Sequence, residues 1–367
     1  GDTVVNEDVQ NIINVDSVDW KQFHGKTIAV TGATGLIGKM CVFALLAADK
    51  KYNLNLKVLA FVRNEKKAKA IFAGEANDQL AFVVTDILEP VPQNIIADYL
   101  IHGASVTASR MMVEQPVETI MTAIQGTRNM LQFAERCKME SMVYLSSMEV
   151  YGIMPKEQVE VKETDLGYIN PLEIRSSYSE GKRMSECLCA AFASEYNVNV
   201  KIARLAQTFG AGIAKDENRV FAQFARSVIE KKDIVLHTRG EKANCYCYIS
   251  DAIAGILTLL THGNKGEAYN VANMDTFCSI REMAEIFVSV SENSTSKLVF
   301  DIPEDSNKYG YAPSSVLRLN SDKISTLGWK PLMNMNDMAK RLMQSMAQNE
   351  VAVSYTHLRA HETLSDL

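Results

Sequence analysis

Tyr178 and Lys182 lie four residues apart in a segment whose apolar residues recur with helical spacing, so the phenol and the ammonium share one face. An ammonium beside a phenol, and any further cation bound nearby, favour phenolate and would bring a phenol of pKa about 10 down toward working pH. Such a tyrosine becomes a usable base for a substrate hydroxyl. Upstream, the apolar run Met142-Val143-Tyr144-Leu145 leads into Ser146-Ser147-Met148-Glu149-Val150-Tyr151-Gly152, which sets the Ser147 hydroxyl at the carboxyl end of a strand.

A second constellation lies near the start of the chain. The strand-like run Thr27 to Val30 passes directly into Thr31-Gly32-Ala33-Thr34-Gly35-Leu36-Ile37-Gly38 and then into a helical pattern beginning Lys39-Met40-Cys41. Gly32 permits a tight turn, Gly35 lets the backbone approach a pyrophosphate, and Gly38 lets helix and strand pack closely while the helix N-terminus faces the anion. The expected ligand is a dinucleotide, with Thr34, Leu36 and Ile37 completing the loop around it. The second strand, Lys57 to Val62, ends in Arg63-Asn64 rather than in the acid that usually accepts hydrogen bonds from the adenosine ribose of NAD. An arginine there can pair with the 2′-phosphate of NADP, so the cofactor is expected to be NAD or NADP, with NADP favoured by Arg63. Asp86, after the third strand, is placed to bind the adenine edge.

The elements that must position these groups alternate. Short β-rich runs at 27–30, 57–62, 81–85, 99–102, 141–145 and 199–203 are separated by helical stretches at 36–48, 117–137 and 177–196, the pattern of βαβ units and a parallel sheet. The expected fold is α/β: a Rossmann-type doubly wound parallel sheet with a smaller C-terminal α/β substrate-binding lobe. The expected boundaries are an N-terminal extension over 1–25, the dinucleotide-binding domain over 26–206 with segments of about 233–272 returning to it, and a mainly substrate-binding lobe over 207–348. Residues 349–367 show neither period and are set aside as a non-native or disordered tail.

Composition narrows the function classes. A hydrophobic fraction of 47% suffices for a large core, and a formal charge of −6 without a basic run argues against nucleic acid or anionic lipid as partner. No apolar stretch approaches the roughly 18 to 20 residues that span a bilayer. The first residues are polar and acidic, unlike a secretory signal, and the missing initiator Met suggests a trimmed chain. Seven cysteines without a C-x-x-C pair imply reduced thiols and a cytoplasmic setting, and neither they nor His102 and His237 have the spacing of a metal site, so no metal is expected.

Taken in order, Thr31 to Gly38, Asp86-Ile87, His102-Gly103-Ala104, Gly126-Thr127, Ser147 to Gly152, Tyr178 to Lys182 and Leu327 to Pro331 resemble the extended short-chain dehydrogenases/reductases, in particular the nucleotide-sugar epimerase/dehydratase group, over roughly residues 26 to 345. The resemblance implies Ser147 as the hydroxyl polarising the reacting carbonyl, Tyr178 as the base, and Lys182 as its activator and a nicotinamide-ribose ligand. Ile87, Gly103 and Ala104 join the cofactor site. In relatives the oxidised cofactor takes hydride from sugar C4, and the ketone then acidifies C5 or labilises a C5 carboxylate.

The same resemblance makes Glu149 a catalytic candidate working near C5, while Met148 stands where 4,6-dehydratases carry an aspartate that protonates the leaving group. A thioether cannot donate that proton. Arg219 and Arg318 match positions that hold a diphosphate or a sugar carboxylate, for which a planar guanidinium suits. Gln207 replaces a usual asparagine at the nucleotide phosphate, Asn244 replaces a usual arginine, and Ala123 replaces a structural asparagine. The expected activity is modification of a nucleotide-activated sugar by transient C4 oxidation, for surface polysaccharide assembly. Epimerisation is the leading outcome and ketoreduction or uronate decarboxylation the alternatives, with 4,6-dehydration below them and, outside enzymes, a dinucleotide-sensing binding protein. Relatives dimerise through helices equivalent to 117–137 and 177–196, so a homodimer is expected. Met111, Met112, Met121 and Met130 read as core or dimer-face packing.

Overall fold

The computed structural model describes residues 1–75, 78–292, 294–304 and 316–365, with side chains through residue 350. Helix α1 (Thr3–Ile13) precedes strand β1 (Thr27–Thr31), helix α2 (Leu36–Tyr52), strand β2 (Lys57–Val62), helix α3 (Glu65–Ile71) and strands β3 (Leu80–Val84) and β4 (Tyr99–His102). Helices α4 (Ser109–Glu114) and α5 (Pro116–Cys137), strands β5 (Ser141–Ser147) and β6 (Glu160–Val161), helix α6 (Ser176–Tyr196) and strand β7 (Val200–Leu205) follow. Each helix boundary has a local cause. Pro116 opens α5 at a position where its missing N–H costs nothing, and Asn53, Lys138 and Asn197 end α2, α5 and α6 in the left-handed conformation.

The later chain builds strand β8 (Gln207–Phe209), helix α7 (Val220–Ile229), strands β9 (Ile234–Leu236) and β10 (Ala243–Tyr248), helix α8 (Ile249–His262) and strands β11 (Ala268–Val271) and β12 (Asn273–Ser279). Helix α9 (Ile280–Ser289), strands β13 (Leu298–Phe300) and β14 (Val316–Leu319), and helices α10 (Asp322–Ser325) and α11 (Met335–Ser365) complete the elements.

Seven parallel strands form the main sheet in the order β3-β2-β1-β4-β5-β7-β11. The order in which strands are added reverses at β1, where Thr31 pairs with Phe61 of β2 on one side and with His102 of β4 on the other. Open α/β sheets bind ligands beyond the carboxyl ends of their strands at such a switch point. Alternate residues feed opposite cores: Ile28 and Val30 pack with Met40, Leu45 and Ile253, whereas Ala29 packs with Met130, Phe133 and Phe192. The sheet is thus covered on both faces, as a parallel sheet requires.

A second sheet joins β12, β10, β14 and β6, with β8 also paired to β10, and β9 pairs with β13. Of the stretch 233–272, β9 and β10 pair outside the main sheet, and α8 and β11 return to it. Residues 305–315 of the expected lobe and 366–367 of the expected tail lie outside the described residues, while α11 runs unbroken past residue 349 to Ser365.

The N-terminal extension is an integral element. Asp2 caps α1 by accepting from the Val4 and Val5 amides, and the helix lies against α2, α8 and α11. Asp8, fully buried, accepts a 2.6 Å hydrogen bond from the Tyr248 hydroxyl and a 2.8 Å bond from Arg341. Breaking a buried pair of this kind by removing one partner costs about 3 to 5 kcal/mol.

Lys201, near the start of β7 and one strand in from the edge of the main sheet, is 2% exposed, and its ammonium donates to the Ser141 hydroxyl at 2.6 Å. Burial pulls its pKa down to about 8 from 10.5. Across that interval the unfolded chain holds a proton that the folded chain has released, so stability rises with pH. Lys201→Met should therefore show a shallower rise in urea midpoint between about pH 8 and 10 than the parent, which keeps both Lys201 and Lys182. Equal slopes would contradict this assignment.

Candidate active site

The glycine loop has the space its ligand needs. Gly32 has φ of +64°, and a Cβ there would lie 3.0 Å from the Ala104 nitrogen. A Cβ at Gly38 would sit 2.1 Å from the Gly32 carbonyl oxygen, an overlap that only separation of α2 from the loop could relieve. At Gly35 the nearest atom would be 3.4 Å away, so the protein itself does not exclude a side chain there. The backbone at Gly35 opens α2 without a side-chain cap, which leaves its first amides free for an anion. These features fit a dinucleotide pyrophosphate.

One hydroxyl ties this loop to β4. Thr31 Oγ1 accepts from the Gly103 and Ala104 amides, both at 3.0 Å, and lies 2.7 Å from His102 Nδ1. With both lone pairs engaged, the hydroxyl donates to Nδ1, and the opposite nitrogen, Nε2, donates to Thr127 Oγ1 at 3.2 Å. Burial, aided by the charge of Lys182, lowers the His102 pKa to about 3, so the imidazole is neutral as this pattern requires. Asn129 donates to the Ile87 carbonyl at 2.7 Å, the Ile87 side chain fills the space above Gly126, and Asp86 accepts from the Leu88 amide at 3.0 Å. Arg63 stands exposed at the end of β2, beside the Asn64 side chain that caps α3. Thr34, Leu36 and Ile37 occupy the loop and first turn between the glycines.

The catalytic candidates converge where β5 meets α6. Lys182 is buried and donates to the Leu145 carbonyl at 2.8 Å, with its ammonium 5.7 Å from the Tyr178 ring centre and 5.0 Å over Tyr144. Burial lowers its pKa to about 8, against the opposing pull of Glu186. Tyr178, hydrogen-bonded to Ser147, is pushed up to about 12, chiefly by burial and next by the Glu149 charge. The Ser147 bond, Arg175 and Arg219 act the other way. In the protein alone the phenol therefore moves away from working pH: Lys182 directs its ammonium to the Leu145 carbonyl, and desolvation dominates.

Behind these groups runs a buried polar chain that the sequence reading misses. Ser146 donates to Glu186 at 2.6 Å, Arg204 donates to both Glu186 oxygens, and Arg204 also reaches the Tyr151 hydroxyl at 3.1 Å. Tyr151 in turn donates to Asn270 of β11. The chain fixes both ends of the short helical turn Met148–Tyr151 and so orients Ser147 and Glu149. Met148 packs against the core.

Glu149 is not a free acid. Arg175 donates to its two oxygens at 3.1 and 2.9 Å, and the same guanidinium lies 5.6 Å from the Tyr178 ring centre. Sequence reading overlooks Arg175, although its place three residues before Tyr178, at the mouth of the same helix, is a usable signal. Arg219 pairs with Glu217 at 3.0 Å and lies near enough to influence Tyr178. Arg318, Asn244 and Gln207 sit instead on the second sheet: Arg318 on β14 beside Glu160 of β6 at 3.9 Å, Asn244 opposite Leu317, and Gln207 opposite Tyr246. The structure brings Ser147, Glu149, Tyr178, Lys182 and Arg219 together and places the other three on the adjoining lobe. Among the described residues no cluster of metal-ligating side chains occurs.

Two glycine variants separate ligand space from protein packing. Gly35→Ala should keep the melting temperature of the ligand-free protein and lose nucleotide retained on purification, whereas Gly38→Ala should lose both. A Gly35→Ala protein that retains nucleotide fully would contradict a pyrophosphate over this residue.

Comparison with known proteins agrees with this geometry. The chain is 30% identical over 271 residues to UDP-glucuronic acid decarboxylase 1 of Arabidopsis thaliana, covering 73% of this chain and 59% of that protein. The match thus spans about three-fifths of the relative's length. An epimerase from Methanothermobacter thermautotrophicus superposes with a TM-score of 0.73 at 19% identity, covering 92% of this chain and 96% of the other. UDP-glucuronic acid 4-epimerase from Bacillus cereus, in complex with UDP-glucuronic acid and NAD, gives 0.69 at 22%, covering 88% and 99%. Residues 28–272, which hold the glycine loop, Ser147, Tyr178 and Lys182, match the model of one enzyme family, and the chain belongs to it: the NAD dependent epimerase/dehydratase family.

Proposed function

We propose that this enzyme decarboxylates a nucleotide-activated uronic acid, with NAD or NADP held on the glycine loop. The observation that carries the reading is the cluster of Ser147, Tyr178 and Lys182 with Glu149 secured by Arg175 beside it. A bound nicotinamide dinucleotide supplies a reversible two-electron acceptor for C4, so the overall reaction has no net redox change. Tyr178 takes the proton of the C4 hydroxyl, and Ser147 donates a hydrogen bond to that oxygen as it becomes a carbonyl. Arg175, Arg219 and the Ser147 hydrogen bond oppose the burial that raises the phenol, and the Lys182 ammonium lies 5.7 Å from its ring centre. A ketone at C4 labilises the C5 carboxylate, which leaves as carbon dioxide while Tyr178 and Ser147 hold the resulting enolate oxygen; C5 then takes a proton, and C4 regains the two electrons it gave up as Tyr178 returns the proton to its oxygen, giving the pentose.

Two features favour this outcome over 4,6-dehydration. Met148 is apolar and packed, so no acid serves a C6 leaving group. Glu149 is tied in both oxygens and is a poor base for a C5 proton. The decarboxylase relatives support the same reading, and the Bacillus neighbour supports NAD where the exposed Arg63 supports NADP. C4 epimerisation, which the sequence alone ranks first, is the second reading, because Ser147, Tyr178 and Lys182 suffice for it without any group at C5. We also propose a homodimer through α5 and α6, whose exposed Val117, Met121 and Met184 suit a partner surface.

Incubation with UDP-glucuronate should release carbon dioxide without stoichiometric consumption of reduced cofactor. Tyr178→Phe should lower kcat by about a thousandfold while retaining nucleotide. Conversion to UDP-galacturonate without carbon dioxide would favour epimerisation, and unchanged turnover in Tyr178→Phe would remove the mechanism altogether. Light scattering should report twice the chain mass, and Met121→Glu with Met184→Glu should halve it.

A further inference from the structure

We propose that Arg175 is the specificity-determining residue that reads the sugar carboxylate, with Glu149 as its built-in competitor. This rests on the uronate reading above and goes beyond it by naming the receptor and its means of release. The Arg175 guanidinium is committed to one partner through two parallel bonds, the geometry in which it also binds a free carboxylate. Both side chains are about two-fifths exposed, 40% for Arg175 and 39% for Glu149, so the pair is weak enough to exchange.

Position decides between this arginine and the other two. The guanidinium lies over the Tyr178 ring, and Tyr178 is the group that meets the C4 hydroxyl. The uronate carboxyl carbon is two bonds from C4, so its oxygens fall beside Tyr178, where Arg175 already stands. The Arg219 guanidinium makes two bonds to Glu217, a carboxylate only 20% exposed and also held by the Arg219 amide, so that pair is less open to exchange, and Arg318 lies across on β14.

Exchange gives the site a direction. An arriving uronate takes Arg175 from Glu149. When the carboxylate departs as carbon dioxide, the guanidinium loses that ligand and returns to Glu149, and the pentose product keeps its nucleotide contacts and those of its C4 oxygen but none to Arg175. A neutral hexose leaves the Glu149 pair intact and gains nothing from Arg175. The reaction itself thus removes the group by which its substrate is held.

Calorimetry in a Tyr178→Phe background, where substrate is not consumed, tests this with UDP-glucuronate, UDP-glucose and UDP-xylose. The parent should bind UDP-glucuronate about tenfold more tightly than either neutral sugar. Arg175→Met should abolish that preference while changing UDP-xylose affinity less than about twofold, Arg175→Lys should restore part of it, and Glu149→Gln should enlarge it by removing the competitor. Melting temperatures identify any variant that has lost its fold, in which case Glu149→Gln alone decides. A parent without preference for the uronate, a preference that survives Arg175→Met, or a preference that shrinks in Glu149→Gln overturns the proposal. Preference with no carbon dioxide released by the unmutated enzyme would instead overturn decarboxylation and leave Arg175 as a carboxylate reader.

Discussion

The Thr31 hydroxyl joins β1 to β4 at the one place where the sheet's order reverses, and the geometry of both ligand sites follows from it. A switch point splays two neighbouring strand ends and leaves a crevice with unpaired amides. Here two of those amides, from Gly103 and Ala104, turn back onto a single side chain of β1 instead of facing water. The crevice floor is consequently rigid, and Gly32 and Gly38 can close on it without room for a methyl group. A neutral His102 completes the joint and brings α5 into register through Thr127.

Around the reacting tyrosine the protein has set charges against one another. Burial and Glu149 raise the phenol, while Ser147, Arg175 and Arg219 lower it, and Lys182 is itself pulled toward neutrality. Such a balance responds strongly to any new charge in the cleft, because desolvated groups are poorly screened. A cationic ring and an anionic sugar entering together would shift it in opposite senses. The buried chain from Ser146 through Glu186, Arg204 and Tyr151 to Asn270 holds the frame still while those charges change.

Much of this was legible where function depends on backbone. Gly32, Gly35 and Gly38 act through missing side chains at fixed spacing, and Tyr178 and Lys182 act through one helical turn, so both patterns are local and survive in one dimension. Arg175 and Glu149 lie 26 residues apart in unrelated elements, and no spacing rule joins them. The same holds for Arg318 and Glu160, which meet only through the pairing of β14 with β6, whereas Arg219 pairs with its near neighbour Glu217. Helix α1 escaped because one of its buried positions is Asp8, which makes an amphipathic segment read as an acidic tail. The burial that raises Tyr178 in the protein alone is hidden for a related reason: sequence shows which charges are near in the chain, not how much water has been excluded.

The bond between Asp8 and Arg341 spans 333 residues, and this separation has a temporal side. At roughly 5 to 20 residues per second, synthesis leaves α1 without its arginine for on the order of half a minute after Asp8 leaves the ribosome. During that interval Asp8 is an unpaired carboxylate on the otherwise apolar face of α1, beside Val4 and Ile12, and burying it is costly. Docking of α1 therefore waits for α11. The nascent sheet can form beneath, but the surface of α2 and α8 that α1 will cover stays open until α11 is made, which is the period when a chaperone has most to protect.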